Sequence, residues 1–308
     1  MLKYLIVILD DKSVSFCHYE TGATESKLMS LDDLKKAVKF GMKENLGIQF
    51  VYPDYPLPQE YLEAIDSVAH VNIASKPENP DDICIANIST IGTFPSCKTL
   101  TLRGSIKDFS SNAEWIEQNW TKFERLNLVL TDLESIKEED TVTYKNFLEG
   151  LSDTYIKISK EGKTLPQINV LTDRLSLESM NNCNAGAESI TFAPDGNFYI
   201  CPAFYYDGEE CLKARQGTPE IPNKHLFELE YAPICRKCDA FQCHRCVWMN
   251  RKKTLEVNTP GHIQCVLSHL ERNASRRLLE ELKKAGCQAD YKEIKEIDYL
   301  DPFDIIKS

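Results

Sequence analysis

The sequence has little positive charge and no long hydrophobic segment, and both deficits exclude classes of function. Its 308 residues contain 36 lysines and arginines against 47 aspartates and glutamates, so the formal net charge is −11. An acidic chain lacks the basic surface that a nucleic-acid backbone requires, and we expect no nucleic-acid partner. The apolar run at residues 4–9 is too short for a signal-peptide core or a membrane span. We therefore expect a cytoplasmic protein with no membrane partner.

Familiar catalytic arrangements are also missing from the sequence. Scattered acids such as Asp54, Asp173 and Asp195 form no pair with a defined spacing, which general acid–base catalysis would require. No serine, histidine and aspartate arrangement stands out either. The sequence therefore does not identify a catalytic residue.

The first 175 residues alternate apolar runs with amphipathic stretches, which predicts an α/β fold. The predicted strands are residues 5–9, 48–52, 71–74, 83–88, 126–130 and 168–171, and the predicted helices between them include residues 59–68, residues 112–120 and a helix from about residue 139. Such alternation implies a parallel sheet covered by helices, either a partial barrel or a doubly wound sheet. Ligands would bind at the carboxyl ends of its strands.

The first helix carries a start signal and an apolar face. Ser30 followed by Asp33 is typical of a capping box, with aspartate in place of the usual glutamate. Helical spacing predicts that one face carries Leu31, Leu34, Val38 and Met42. We expect Gly47 to end this helix.

After residue 175 the sequence becomes rich in cysteine, aromatic residues, proline and glycine, which predicts a second module over residues 176–270. Asp195-Gly196 lies between two alternating apolar runs, a pattern typical of a β-hairpin that would bring Cys183 and Cys201 close together. Residues 271–308 are predicted to form a C-terminal helix, capped by Gly286, and an acidic tail.

Seven of the twelve cysteines lie in the last third of the chain: Cys183, Cys201, Cys235, Cys238, Cys243, Cys246 and Cys265. Thiolates favour iron–sulfur clusters or zinc, and two cysteines separated by two residues can bind one centre. Disulfides do not persist in a reducing cytosol, so clustered cysteines there indicate metal or catalysis. His244 lies between two of these cysteines, and we expect it to be solvated.

The order of cysteines resembles the SPASM domain, the auxiliary-cluster module of many radical SAM enzymes. The chain reads Cys183, twelve residues, Gly196, four residues, Cys201, a gap, Cys235-x2-Cys238-x4-Cys243-x2-Cys246, a second gap and Cys265. Two spacings in the second half depart by one residue from the SPASM pattern. The resemblance implies two 4Fe-4S clusters. The first would be held by Cys183, Cys201 and Cys246, and the second by Cys235, Cys238, Cys243 and Cys265.

Two points about these ligands stay open. The first cluster needs a fourth ligand, which is either Cys211 or an open iron site. Alternatively, Cys235, Cys238, Cys243 and Cys246 form one zinc site. The basic residues around them, Arg236, Lys237, Arg245, Arg251, Lys252 and Lys253, favour charge compensation for a negative centre over a dock for an acidic peptide.

The N-terminal half resembles a radical SAM barrel that has lost its cofactor site. An intact enzyme of that class has C-x3-C-x2-C after its first strand, whereas Asp10, Val14 and Cys17 occupy the corresponding positions here. Bulky residues and prolines at residues 51–56 replace the expected glycines and would obstruct close backbone approach to a ligand. We therefore expect no binding of S-adenosylmethionine. An isolated cysteine such as Cys17 is expected to be a buried apolar residue.

Nearly the whole chain is similar to the CXXX repeat peptide maturase family. The similarity is carried by Tyr4-Leu5-Ile6-Val7, Phe16-Cys17-His18-Tyr19, Phe50-Val51-Tyr52-Pro53-Asp54-Tyr55, Cys183-Asn184-Ala185-Gly186 and Phe198-Tyr199-Ile200-Cys201-Pro202. It implies an iron–sulfur protein that binds a ribosomally made, cysteine-rich precursor peptide and positions it or relays electrons to it, beside a second maturation protein. The chain could itself be an enzyme or an accessory subunit. The alternatives are a non-enzymatic peptide-binding partner and a zinc-stapled scaffold.

Overall fold

The computed structural model describes residues 1–22, 24–92, 96–180, 183–215 and 217–287. Nine strands form one sheet in the order β7-β6-β5-β4-β3-β2-β1-β8-β9. They are β1 (Tyr4–Ile8), β2 (Gly47–Val51), β3 (His70–Ala74), β4 (Ile83–Asn87), β5 (Thr99–Gly104), β6 (Arg125–Leu130), β7 (Gln167–Ile168), β8 (Ser189–Phe192) and β9 (Phe198–Tyr199). A small antiparallel pair consists of β10 (Ala214–Arg215) and β11 (Thr218–Pro219).

The nine-stranded sheet is mostly parallel, which confirms the predicted α/β class. β1 pairs in parallel with β2 on one side and with β8 on the other, whereas β9 runs antiparallel to its neighbour β8. The α-helices are α1 (Leu31–Lys43), α2 (Gln59–Asp66), α3 (Ile106–Ser111), α4 (Ala113–Asn119), α5 (Glu138–Lys160), α6 (Asp173–Ser176), α7 (Pro202–Tyr206), α8 (Val247–Thr254) and α9 (His262–Lys284). This strand order establishes neither a radical SAM-type barrel nor a SPASM module.

The chain divides into two compact units. The first contains the described parts of residues 1–85, 96–97 and 183–231, and the second those of residues 86–92, 98–180 and 232–287. The cysteine-rich stretch therefore contributes to both units. The predicted modules 1–175, 176–270 and 271–308 stay a prediction, and the acidic tail at residues 288–308 lies outside the described residues.

The core of the first unit is built on β1, β2 and β8, which α1 and α2 cover. Leu5, Phe50 and Ile190 are fully buried there, one from each strand. The N-cap of α1 is Ser30, as predicted, and its hydroxyl accepts a hydrogen bond from the backbone N–H of Asp33 at 3.1 Å. Capping of this kind satisfies a backbone donor that the helix leaves free.

The far end of α1 differs from the prediction in two respects. The helix ends at Lys43 rather than at Gly47, because Asn45 adopts the left-handed conformation (φ 53°) and turns the chain into β2, which begins at Gly47. Met42 is 64% exposed and does not belong to the buried face. Gly41 takes that place, since a Cβ atom there would lie 2.6 Å from Ile48 Cδ1.

The second unit is organised by its two long helices, α5 and α9, which pack against each other. Tyr144 in α5 donates a hydrogen bond to Glu271 in α9 at 2.7 Å. α9 begins at His262, nine residues before the predicted C-terminal segment, and Gly286 adopts the left-handed conformation (φ 69°) just beyond its end. No helix in the described part of the chain has the length and apolar character needed to cross a bilayer.

Candidate metal centre

The second unit gathers cysteines from one loop and one helix. Cys235 begins a 3-10 turn, and Cys238 follows that turn directly. Cys246 is the N-cap residue of α8. Cys265 lies in the first turn of α9, so the loop and this helix supply all five predicted ligands of this stretch.

Cys238 lies against α9 through a histidine. Its Sγ is 3.5 Å from Nε2 of His269, which is 7% exposed. The backbone N–H of Ala240 also donates to Cys238 Sγ, at 3.5 Å. Hydrogen bonds to sulfur favour the thiolate form, which is the form that binds metal.

Cys243 also lies against α9, through Ser268, the residue before His269. The backbone N–H of Arg245 donates to Cys243 Sγ at 3.4 Å, and the Ser268 side chain hydrogen-bonds to that thiol. Residues one turn apart share a helix face, so Cys265 lies on the face that carries His269. The four cysteines predicted to hold the second cluster, Cys235, Cys238, Cys243 and Cys265, thus lie in one region of the second unit.

Burial dominates the titration of these thiols. It raises the pKa of Cys235 to about 12, with further contributions from the neighbouring thiols of Cys243 and Cys238, while the guanidinium of Arg245 opposes the rise. Burial also raises the pKa of Cys238 to about 12. The thiols of Cys235 and Cys238 are therefore protonated at neutral pH when no metal is bound, and metal binding would release their protons.

Buried cations surround the thiols. Arg245 and Arg272 are each 1% exposed, and Arg174 is 2% exposed. One buried carboxylate serves two of them, because Asp239 accepts from Arg174 Nη2 and from Arg272 Nη1, both at 3.1 Å. The three guanidinium groups and Asp239 carry a formal charge of +2. Arg245 and Arg272 partly offset the effect of burial on the thiol pKa values, whereas Glu271 raises the pKa of Cys243.

The sequence identified only part of this electrostatic environment. Of the six basic residues grouped with the cysteines, only Arg245 is buried, while Arg236, Lys237, Arg251, Lys252 and Lys253 are exposed. Arg174 and Arg272 were missed because they lie 65 and 33 residues from Asp239 in the chain. His244 is not the solvated residue that we expected, since burial lowers its pKa.

Donor chemistry fits a thiophilic metal, but the side chains do not form a closed coordination shell. Among the described residues, no group of three or more His, Cys, Asp or Glu side chains is arranged so that it could hold one metal ion. The thiols lie near one another and receive backbone N–H donors. Binding would require the side chains to turn toward a common centre.

The first predicted ligand set draws on both units and stays a prediction. Cys183, Cys201 and Cys211 belong to the first unit and Cys246 to the second. Cys183 and Cys211 are exposed and Cys201 is half-buried. Burial raises the pKa of Cys201, and the nearby thiol of Cys183 raises it further, in accord with the hairpin prediction. Cys17 is also half-buried and contributes to the same rise, so it is not the isolated buried cysteine that we expected.

The loop after β1, where the sequence resemblance would place a cofactor motif, has a hydrogen-bonded structure. Asp10 is fully buried, and its carboxylate accepts from the Ser26 and Tyr55 hydroxyls, each at 2.8 Å. The Ser13 hydroxyl accepts from the Asp10 backbone N–H and donates to the carbonyl of Val51. These side chains hold the loop to the end of β2.

Comparison with known proteins gives no independent assignment. No protein-family model matches the chain, and a search of curated proteins finds no match either.

Proposed function

We propose that the chain is an iron–sulfur protein of peptide maturation and that Cys235, Cys238, Cys243 and Cys265 hold one of its clusters. The observation that carries the proposal is the set of buried guanidinium groups beside thiols that accept backbone N–H bonds. The guanidinium groups of Arg245 and Arg272 lower the pKa of the neighbouring thiols, so they would stabilise the negative charge of a cluster held by four thiolates.

When bound, the cluster would supply electron transfer or a structural cross-link. The residues of the chain contribute in three ways. The N–H groups of Ala240 and Arg245 donate to sulfur, Arg245 and Arg272 provide positive charge, and burial excludes water. The hydrogen bonds and the positive charge would favour the reduced, more negative state of the centre and would raise its reduction potential.

The peptide substrate is proposed from the resemblance to CXXX repeat peptide maturases. A precursor with cysteine at every fourth position would present thiols on one face if it were helical. As the SPASM resemblance implies, Cys183, Cys201 and Cys246 are proposed to hold the first cluster, with either Cys211 as its fourth ligand or an open iron. The proposal includes a cytoplasmic location, a partial barrel of radical SAM type, a SPASM-like module and a second maturation protein as partner.

One observation favours zinc as the second candidate. His269 Nε2 lies 3.5 Å from Cys238 Sγ, and zinc accepts mixed cysteine and histidine ligands readily. In this candidate the metal only stabilises the fold, and the chain acts as a non-enzymatic peptide-binding partner or scaffold.

Metal and sulfide analysis of anaerobically purified protein tests the proposal. We expect about eight irons and eight acid-labile sulfides per chain. Cys238→Ala should lose about half of each, whereas the matched control Cys287→Ala, which lies outside both ligand sets, should keep both. Zinc without sulfide would favour the second candidate. An unchanged iron content in Cys238→Ala would show that Cys238 is not a ligand.

A second experiment addresses the proposed loss of cofactor binding. Reduced, iron-loaded protein is incubated with S-adenosylmethionine, and 5′-deoxyadenosine is quantified. We expect none above the rate without protein, because Asp10 and its hydrogen-bond partners occupy the loop after β1. Formation of 5′-deoxyadenosine by the chain alone would contradict this part of the proposal.

A further inference from the structure

A cavity of about 380 Å³ lies in the first unit at the carboxyl ends of β2 and β3. Its walls are formed by the segment after β2, the end of α2 and the segment between β3 and β4. This is the edge at which open α/β sheets bind ligands, and the volume lies within the range of small-ligand pockets. The metal centre uses none of its residues.

Both apolar and acidic side chains line the cavity. Apolar surface comes from Tyr52, Pro53, Tyr55, Pro56, Leu57, Leu62, Ala74 and Pro77. Four carboxylates face the same space, Asp54, Asp66, Glu78 and Asp82, against one ammonium group, that of Lys76. Lys76 is 84% exposed and lies 3.7 Å from Asp54. The remaining three carboxylates therefore give the cavity a negative potential.

The most buried carboxylate of the cavity, that of Asp82, has no cationic partner among the described residues. Asp82 is 6% exposed, and within the described residues it accepts hydrogen bonds only from the backbone and side-chain N–H groups of Asn72. A nearly buried carboxylate without a cationic partner, in a cavity lined by three further carboxylates, favours a ligand that carries N–H donors and positive charge.

Three of the carboxylates lie near the hydroxyl of Tyr52. Burial raises its pKa, and the negative charges of Asp66, Asp82 and Glu78 add to the rise. These carboxylates are spread around the cavity, since no three acidic side chains among the described residues could hold one metal ion. Apolar walls and dispersed charge fit an organic cation with an aliphatic stem better than a metal ion.

We propose that this cavity binds the side chain of a peptide arginine. The guanidinium would donate to the Asp82 carboxylate, and the aliphatic stem would contact the tyrosine, leucine and proline side chains. Arginine fits because it offers five N–H donors on a planar group. The site does not depend on bound metal.

Calorimetric titration of the full-length protein tests the proposal with three probes: N-acetyl-arginine amide, its citrulline analogue and agmatine. Citrulline keeps the shape of arginine without its charge, and agmatine is a free guanidinium compound without a peptide backbone. We expect the capped arginine to bind with a dissociation constant on the order of 1 mM, and the citrulline analogue to bind at least tenfold more weakly. Equal binding of both, or no binding of capped arginine, would overturn the proposal. Agmatine binding more tightly than capped arginine would identify a free cation as the ligand instead of a peptide.

Two double variants at exposed positions distinguish the effect of the cavity carboxylates from the effect of the protein's net charge. Asp66→Asn with Glu78→Gln removes two lining carboxylates, and Glu60→Gln with Glu63→Gln makes the same charge change on exposed positions of α2 outside the cavity. We expect the first variant to weaken binding at least threefold and the second to change it less than 1.5-fold, since exposed charges at a distance are screened. Equal effects would show that binding depends on net charge alone.

Discussion

Asp239 is the single residue on which the electrostatics of the second unit depend most. It is 2% exposed and accepts hydrogen bonds from two buried arginines, Arg174 and Arg272. Arg174 also donates through Nε to the Asp239 carbonyl at 2.9 Å. Removing one member of a buried charged group costs far more than removing an exposed pair, because the remaining charge keeps its desolvation penalty.

We predict that Asp239→Asn lowers the free energy of unfolding of the metal-free protein by about 3–5 kcal/mol. The control is Asp153→Asn, which removes the carboxylate of an exposed pair with Arg277 and should cost about 0–1 kcal/mol. Urea denaturation followed by circular dichroism measures both. A smaller loss for Asp239→Asn than for Asp153→Asn would mean that the buried arginines do not need this carboxylate.

At the scale of elements, two glycines with positive φ differ in their surroundings: Gly196, in the turn between β8 and β9, and Gly208, after α7. Gly196 adopts a φ of 79°, which residues with a side chain rarely tolerate, and a Cβ there would lie 3.1 Å from Asp33 Oδ1. Gly208 has a φ of 71°, but a Cβ added to it would meet no atom within 4 Å. Replacing each glycine with alanine therefore distinguishes the cost of backbone strain, present at both positions, from the cost of steric contact, present only at Gly196.

We predict that Gly208→Ala destabilises the protein by about 1 kcal/mol, the cost of placing alanine in the left-handed region. Gly196→Ala should cost about 1 kcal/mol more, because the Asp33 carboxylate lies at the capped start of α1 and must move. The measurement is the difference between the two midpoints of urea denaturation. Equal midpoints would show that the Asp33 side chain moves away without cost.

Local signals predicted many of these elements, whereas contacts between distant residues could not be predicted. The Ser30 cap, the Asp195-Gly196 turn and the end of α9 are encoded within a few residues. β5 and α3 were missed, although Ser105 and Asp108 form a capping box that the sequence displays. The buried arginines and the contact between His269 and Cys238 join segments that are far apart in the chain, so no spacing rule reveals them.

At the scale of the whole molecule, each compact unit is assembled from segments that are separated in sequence. The second unit combines residues 86–92 and 98–180 with residues 232–287. α9 therefore packs on α5 although the cysteine-rich hairpin lies between them in the chain. Cys235, Cys238, Cys243 and Cys265 all belong to this unit. A metal bound by them would stabilise the second unit directly.

Hydrogen exchange tests whether a bound metal stabilises the second unit more than the first. We predict that Cys238→Ala, purified anaerobically, exchanges at least about tenfold faster than wild type in the first turns of α9, because a ligand of the native state stabilises the unit that binds it. Exchange in β1, which belongs to the first unit, should stay within about twofold, and Cys287→Ala should match wild type throughout. Equal acceleration of β1 and α9 would mean that the two units unfold together. Unchanged exchange in α9 would mean that Cys238 holds no stabilising metal.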